Sequence, residues 1–248
     1  MKRKTVKMIT LGFFALALAL GAARHAQAQD AKNPYPTMAP LDQYLMDRDA
    51  EIALARSAAP PSVAKDATVM VFGRDGYETA VKGTNGFVCN VDRSWMNPFS
   101  GKFSLGFWNP RARGPVCYNP QAARTLLPIL LIRTKLALAG KSKAEMNEGM
   151  KAAIEKGELP ALEPGGMAYM MSKQGHLNDF CGNCAPHLMF YLPVKDNKTW
   201  GAGALGSGSV VEVAPHFNGN PEPVTELNVE VTEWSDGTPG PDSGDHAH

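Results

Sequence analysis

The chain has 248 residues, of which 44% are hydrophobic and 20% are charged, an ordinary composition for a globular protein. Five of its 25 Lys and Arg lie in residues 1–28, whereas all 24 Asp and Glu lie later, so a chain cleaved after Ala28 carries a net charge of about −4. We therefore expect neither nucleic acid nor an anionic membrane as a partner, since both require a basic face.

Residues 1–28 are predicted to be a cleavable signal peptide. Four basic residues precede an apolar core over 11–20, and Ala26-Gln27-Ala28 provides the small-x-small pattern that signal peptidase cleaves. The apolar core is too short to span a bilayer, and no later stretch reaches the roughly 18 apolar residues of a membrane helix. The sequence thus predicts a periplasmic or secreted protein that does not stay in the membrane after signal cleavage.

Residues 29–40 are rich in proline and are expected to be an extended lead-in. Helical spacing over 41–57 ends at Pro60-Pro61. Short β-type runs follow at 68–72, 77–81 and 87–91, separated by turn signals, and predict a three-stranded antiparallel meander. Residues 94–118 are interpreted as a long aromatic loop.

A second helical region is predicted to begin at Asn119-Pro120 and to run to about 139, with a kink at Pro128. Ser142 and Glu145 form a capping box for a further helix that ends near Gly157. Strands are predicted at 167–171, 187–192, 210–213 and 224–231, and residues 239–248 are expected to be a disordered tail. The pattern predicts one α+β domain over 41–238, with a mostly antiparallel sheet, an N-terminal helix and a central helical insert.

The four cysteines are expected to form disulfides, because an exported protein folds in an oxidising compartment. They allow three connectivities, of which Cys89–Cys117 with Cys181–Cys184 is the simplest. The motif Cys181-Gly182-Asn183-Cys184 also allows a thiol-disulfide oxidoreductase. However, it lacks the strand and helix that place a reactive thiol at a helix N-terminus.

Metal binding is an alternative for the same segment. His176, Cys181, Cys184 and His187 supply two thiolates and two imidazoles within twelve positions, a ligand set suited to zinc. Nearby methionines add copper to the alternatives. The spacing departs from common zinc fingers, so a plain disulfide in a loop is favoured.

The aromatic loop provides a second group of candidate ligand-binding residues, namely Trp95, Trp108, Arg111 and Arg113. Aromatic rings on a loop can contact a small molecule or a protein partner, and arginine can bind a carboxylate. The alternative is that the rings pack beneath the loop as a satellite core.

Several strings resemble an exported bacterial protein family for which no activity is established. They are MDRDAEIALARSAAP (46–60), GYETAVKGTNGFVC (76–89), WNPRARGPVCYNP (108–120), MSKQGHL (171–177) and EWSDGTP (233–239). The resemblance covers most of the chain but implies no catalytic residue. We therefore expect an exported protein that binds a small molecule or a partner without catalysis, with a zinc or copper protein and a thiol oxidoreductase as alternatives.

Overall fold

The structure is a computed structural model that describes residues 33–100, 102–179, 181–193, 209–213 and 221–241. By its contacts the chain divides into two compact units, Met1–Pro36 and Thr37–His248, and every element described below belongs to the second. The predicted signal peptide over 1–28 and residues 29–32 of the lead-in lie outside the described residues, and residues 33–40 contain neither helix nor strand. No helix in the described part is long and apolar enough to cross a membrane.

The described residues form one eight-stranded sheet with the strand order β2-β1-β3-β4-β5-β6-β8-β7. All neighbouring strands are antiparallel except β1 and β3. The strands are β1 (Thr68–Gly73), β2 (Gly76–Val81), β3 (Val88–Asp92), β4 (Gly114–Tyr118), β5 (Gly166–Met170), β6 (His187–Pro193), β7 (Ser209–Val213) and β8 (Val224–Glu230). The predicted α+β class with a mostly antiparallel sheet is confirmed.

Helices precede the sheet and interrupt it between β4 and β5, as the predicted N-terminal helix and central insert require. They are α1 (Arg48–Arg56), α2 (Pro61–Ala64), α3 (Pro120–Thr125), α4 (Leu127–Leu138) and α5 (Lys143–Glu155). The Asp47 side chain caps α1, and the Ser142–Glu145 capping box begins α5 as predicted. Short 3-10 helices lie at Leu41–Gln43, Ser94–Met96 and Lys102–Gly106.

The second predicted helical region is divided in two at Leu126, which caps α4. Pro128 lies in the first turn of α4, where its missing N–H removes no helical hydrogen bond. The proline therefore lies at the start of a new helix and not in the middle of a continuous one.

The predicted antiparallel meander is wrong in its third strand. β3 pairs with β1 in parallel, through Thr68–Val88 and Val69–Cys89, and not with β2. The chain after β2 returns to the start of β1, where Thr84 N donates to Asp66 O. A Cβ at Gly83 would lie 2.2 Å from the Ala67 carbonyl carbon, so only glycine permits this close return.

Residues 114–118 form β4, although the sequence predicts a loop there. All five residues are buried, and Cys117 lies opposite Cys89 of β3, to which it is disulfide-bonded. Gly114 and Pro115 begin the strand and hide its β-type pattern. Pairing with β3 on one side and β5 on the other supplies the stability that local propensity lacks.

One face of the sheet carries an apolar core beneath α1. Leu54 and Ala55 of the helix pack on Val69, Val91 and the Cys89–Cys117 disulfide. At the chain's end, Gly240 N donates to Thr232 O, so the fold extends to that residue. The rest of the predicted tail, over 242–248, lies outside the described residues.

Candidate functional site

The second face of the sheet carries a row of polar and sulfur-containing side chains. Because residues paired across neighbouring strands share a face, the strand register places these side chains on the same face of the sheet. The pairs are Asp92–Gly114, Tyr118–Ala168, Met170–His187, Met189–Asn228 and Tyr191–Glu226. Residues from β3, β4, β5, β6 and β8 thus meet on one surface.

This surface is the floor of a cavity of about 350 Å³. Leu126, Ile129 and Arg133, from the region of α4, line it together with residues 96–98 and Leu177, and the cavity is partly open to solvent. The floor contributes Asp92, Tyr118, His187, Met189, Tyr191, Glu226 and Asn228. The volume lies within the range of small-molecule sites in proteins, and the lining mixes apolar walls with a few polar groups.

Small residues on β5 separate two tyrosine rings on this face. Gly166 and Ala168 lie between Tyr118 and Tyr191 on this face, so the two rings approach each other over the strand. Their centroids are 6.4 Å apart with a tilted geometry. Both tyrosines are at least 94% buried. Burial, followed by the negative charge of nearby carboxylates, raises the pKa of each hydroxyl well above its usual value.

Asp92 and Glu226 interact electrostatically with the same two tyrosines, although β8 is the fourth strand from β3 in the sheet. Both carboxylates contribute to the raised pKa of Tyr118 and of Tyr191. Burial raises the pKa of Asp92 to about 7, against the hydrogen bond from Asn90 and the charges of Arg93 and Arg133. Asp92 therefore changes its charge near neutral pH.

His187 contributes a neutral imidazole to the lining. Its Nδ1 lies 2.8 Å from Ala185 O, and since a carbonyl only accepts, Nδ1 carries the proton. Burial is the main cause that lowers the pKa of His187. The other ring nitrogen, Nε2, is then a hydrogen-bond acceptor at neutral pH.

Two buried ion pairs hold the arginines of the lining. Arg93 Nη2 lies 2.9 Å from Glu51 Oε2, and Arg93 Nε donates to Tyr44 O at 2.8 Å. Arg133 Nε donates to Glu222 Oε1 at 2.8 Å, while its Nη1 faces the carbonyl oxygens of residues 95–97. All four paired side chains are at least 95% buried, so these guanidinium groups fix the walls of the cavity.

Both candidate tryptophans of the predicted aromatic loop are buried. Trp95 is fully buried between Tyr44 and Phe72, and its Nε1 donates to Thr134 Oγ1 at 3.0 Å. Trp108 is 4% exposed and packs edge-on against Phe107. Both follow the packing alternative, and neither is among the described residues that line the cavity.

Arg111 and Arg113 of the same loop hold the segment that follows β5. Arg111 Nη2 lies 2.7 Å from Asp179 Oδ1. Arg113 exchanges backbone hydrogen bonds with His176, and its guanidinium donates to the carbonyl oxygens of Pro110 and Ala112. Burial lowers the pKa of Arg113 to about 10. Both arginines lie outside the described lining of the cavity.

The four candidate metal ligands do not meet at one point. Cys181 and Cys184 are joined in a disulfide, His176 Nε2 lies 3.0 Å from Asp179 Oδ1, and His187 faces the cavity. Within the described ranges, no group of three or more His, Cys, Asp or Glu side chains is placed to hold a metal ion. A thiol-disulfide oxidoreductase would need a helix that begins at the first cysteine, and the described residues between β5 and β6 contain no helix.

Both disulfides of the simplest connectivity are present, and no free cysteine remains. Cys184 has a positive φ of 57° and lines the cavity next to His187. Of the four candidate metal ligands, Cys184 and His187 are thus in the described lining of the cavity, and His176 and Cys181 are not.

Sequence reasoning missed the carboxylates and tyrosines of the cavity. The available signal was the alternation in β8, where Leu227 and Val229 take one face and Glu226 and Asn228 the other. Polar residues in such alternation usually face solvent, whereas here Glu226 and Asn228 are partly buried and line the cavity. Comparisons of the chain with protein-family models, with curated proteins and with solved structures find no match.

Proposed function

We propose that the protein is an exported small-molecule-binding protein whose ligand occupies the cavity between the sheet and α4. The single observation that supports this proposal is the polar face of the cavity, with Asp92, Tyr118, Tyr191 and Glu226 around about 350 Å³. Burying polar groups without filling the space between them costs free energy, so such an arrangement is typical of a site that a ligand completes.

The binding proposal is tested with native mass spectrometry of the purified protein and a thermal-shift screen against amino acids, amines, short carboxylates and sugars. We expect at least one class to raise the melting temperature. Asn228→Phe, which places a ring in the cavity, should abolish that shift. Leu227→Phe is the matched control, because it adds a ring to the opposite face of the same strand. Equal binding by both variants would contradict the proposed site.

Export is the second part of the proposal. Two disulfides support it, because they form and persist in oxidising compartments. Expression of the full chain in a bacterial host should yield a periplasmic or secreted protein that begins at Gln29. Ala28→Arg should block cleavage and retain the precursor. A mature protein that keeps residues 1–28 would contradict this part while leaving the cavity unaffected.

Acid–base catalysis is a second candidate function, favoured by the pKa of Asp92 at about 7 beside two buried tyrosine hydroxyls. A molecule identified by native mass spectrometry would be incubated with the protein and analysed by liquid chromatography. Conversion that is lost in Asp92→Asn while binding persists would support an enzyme. Recovery of the unchanged molecule after long incubation would support binding alone.

A further inference from the structure

We infer that the ligand of the cavity is a neutral monosaccharide, a molecule rich in hydroxyl groups on a single ring. This inference rests on the proposed binding function and adds the chemical class of the ligand. It follows from the mixture of hydrogen-bond donors and acceptors in the lining and from the way in which the charges of the lining are compensated.

The buried polar atoms that lack a partner include both a donor and acceptors. Among the described residues, Ser94 Oγ, Glu222 Oε2 and Asn228 Oδ1 are buried without a hydrogen-bond partner, and all three side chains line the cavity. The serine hydroxyl can donate, whereas the carboxylate and amide oxygens only accept. Each such group costs about 1–3 kcal/mol while it is unsatisfied, so the ligand that fits best both donates and accepts.

Two tyrosine hydroxyls add further donors to the lining. The Tyr191 hydroxyl donates to the Met189 thioether at 3.5 Å, and a thioether is a weak acceptor. Burial raises the pKa of Tyr118 and of Tyr191 well above the usual value, so both hydroxyls keep their protons. An oxygen atom of a ligand would be a better acceptor for these hydroxyls than the sulfur.

An anionic ligand is disfavoured, because the cationic donors of the lining are already used by the protein. Arg133 directs its N–H groups at Glu222 Oε1 and at the carbonyl oxygens of residues 95–97. Arg93 donates to Glu51 and to two backbone carbonyl oxygens. A carboxylate or phosphate would have to break one of these buried ion pairs, which is costly.

A cationic ligand is disfavoured, because the carboxyl groups of the described lining are compensated as well. Glu222 is paired with Arg133, and Glu226 interacts with other groups of the protein. Burial raises the pKa of Asp92 to about 7, so this carboxyl is mostly protonated below neutral pH. An ammonium group would therefore lose hydration without gaining an ion pair of its own.

A sugar ring satisfies these conditions together. Each hydroxyl group donates one hydrogen bond and accepts others without carrying a charge. The C–H groups of the ring suit the electron-rich faces of Tyr118 and Tyr191, whose centroids are 6.4 Å apart on the floor of the cavity. The volume of about 350 Å³ is near the lower end of the range for small-molecule sites, which suits a single ring.

Three neutral probes test the assignment, namely D-glucose, D-galactose and D-mannose, each compared with its 2-amino sugar and its uronic acid. Isothermal titration calorimetry at pH 6, where the amino sugars are cationic, should show binding of at least one neutral hexose. That hexose should bind about tenfold more tightly than either of its charged analogues, or more.

Variants of the lining test where the sugar binds. Ser94→Ala and Tyr118→Phe each remove one hydroxyl and should each weaken binding of the neutral hexose about tenfold. Tyr169→Phe is the matched control and should bind as the parent does, because Tyr169 packs against the apolar core on the opposite face. Thermal unfolding without ligand checks that each variant is folded, and if one of the two lining variants is not, the other decides.

Equal or tighter binding of an amino sugar or a uronic acid would overturn the neutral assignment and leave the binding function standing. Unchanged binding by both lining variants would also overturn it. If no hexose binds but the thermal-shift screen finds another class of ligand, the sugar assignment fails and the binding function survives. If that screen and native mass spectrometry find no ligand of any class, both proposals fail.

Discussion

The face of the sheet beneath α1 is closed by alanine, valine and leucine side chains, whereas the face beneath α4 encloses carboxylates, tyrosines and a cavity. Both faces belong to the same strands, so residues adjacent in sequence serve different purposes. In β3, Val91 packs in the apolar core and Asp92 lines the cavity. The difference teaches that apolar packing fills the space on one face of the sheet, whereas the other face leaves the space in which we propose that a ligand binds.

The largest expected effect concerns the ion pair that anchors α1 to the end of β3. Glu51→Gln leaves Arg93 buried without its anionic partner and is expected to cost about 3–5 kcal/mol of unfolding free energy. Urea denaturation followed by circular dichroism measures this loss. Glu78→Gln is the control, because the Arg48–Glu78 pair also joins α1 to the sheet but is more than half exposed and should cost under about 1 kcal/mol. Equal losses would show that burial of the pair is unimportant.

The two disulfides are expected to differ in how much they stabilise the protein, and the disulfide in the apolar core should contribute more. Cys89–Cys117 closes 28 residues within the apolar core, and Cys181–Cys184 closes three beside the cavity. Replacing both cysteines of a pair by alanine should cost about 3.6 kcal/mol for the first and about 1.6 kcal/mol for the second, from loop-closure entropy alone. Thermal and urea unfolding of the two double variants measure these losses. A larger loss from the second pair would contradict this comparison.

Truncation of one apolar side chain on each face gives a smaller contrast. Leu54→Ala opens a void in a closed core and is expected to cost about 3 kcal/mol, whereas Met189→Ala enlarges an existing cavity and should cost about 1–2 kcal/mol. Chemical denaturation of both variants provides the measurement. If Met189→Ala costs as much as Leu54→Ala, the cavity face is as tightly packed as the core.

The smallest expected effect is a gain in unfolding free energy, and its size depends on pH. The fold raises the pKa of Asp92 from 3.8 to about 7, so ionisation of this carboxyl opposes folding, and its cost develops as the pH rises from about 4 to 7. Asp92→Asn should therefore gain about 1 kcal/mol over the parent above pH 7, after allowing for water in the cavity, and little below pH 4. Urea midpoints between pH 4 and 8 test this, and a difference that does not vary with pH would contradict it.

The local elements of the fold could be predicted from sequence because their signals are local. The Ser142–Glu145 capping box begins α5, and the alternation of Leu227 and Val229 matches β8. Each signal depends on hydrogen bonds or periodicity within a few residues. The helical insert and the antiparallel class were predictable for the same reason.

The arrangement of the strands and the site depends on contacts between distant residues. The parallel pairing of β1 with β3 depends on a backbone return at Gly83, which no periodicity reveals. Asp92 and Glu226 are 134 positions apart in the chain and share a cavity only because the sheet brings β3 and β8 beneath one helix. The cysteine motif attracted attention by its spacing, yet its main contribution is Cys184 at the edge of that cavity.

The join between β4 and β5 lies in the middle of the sheet and has only two paired positions, Cys117–Tyr169 and Tyr118–Ala168. On one side β1 to β4 derive from a continuous stretch, Thr68–Tyr118, and on the other β5 to β8 derive from Gly166–Glu230. Each half can form early from near neighbours in the chain, and their docking requires closure of the long helical connection.

We expect a bound molecule to stabilise this central join between β4 and β5. Asp92 and Tyr118 reach the cavity from the first half, and Tyr191 and Glu226 from the second. A ligand that contacts these four residues holds the two halves together. Its binding free energy therefore adds to the free energy needed to separate β4 from β5. In hydrogen–deuterium exchange, the amides of β4 and β5 should then be the ones whose protection rises most when the site is filled.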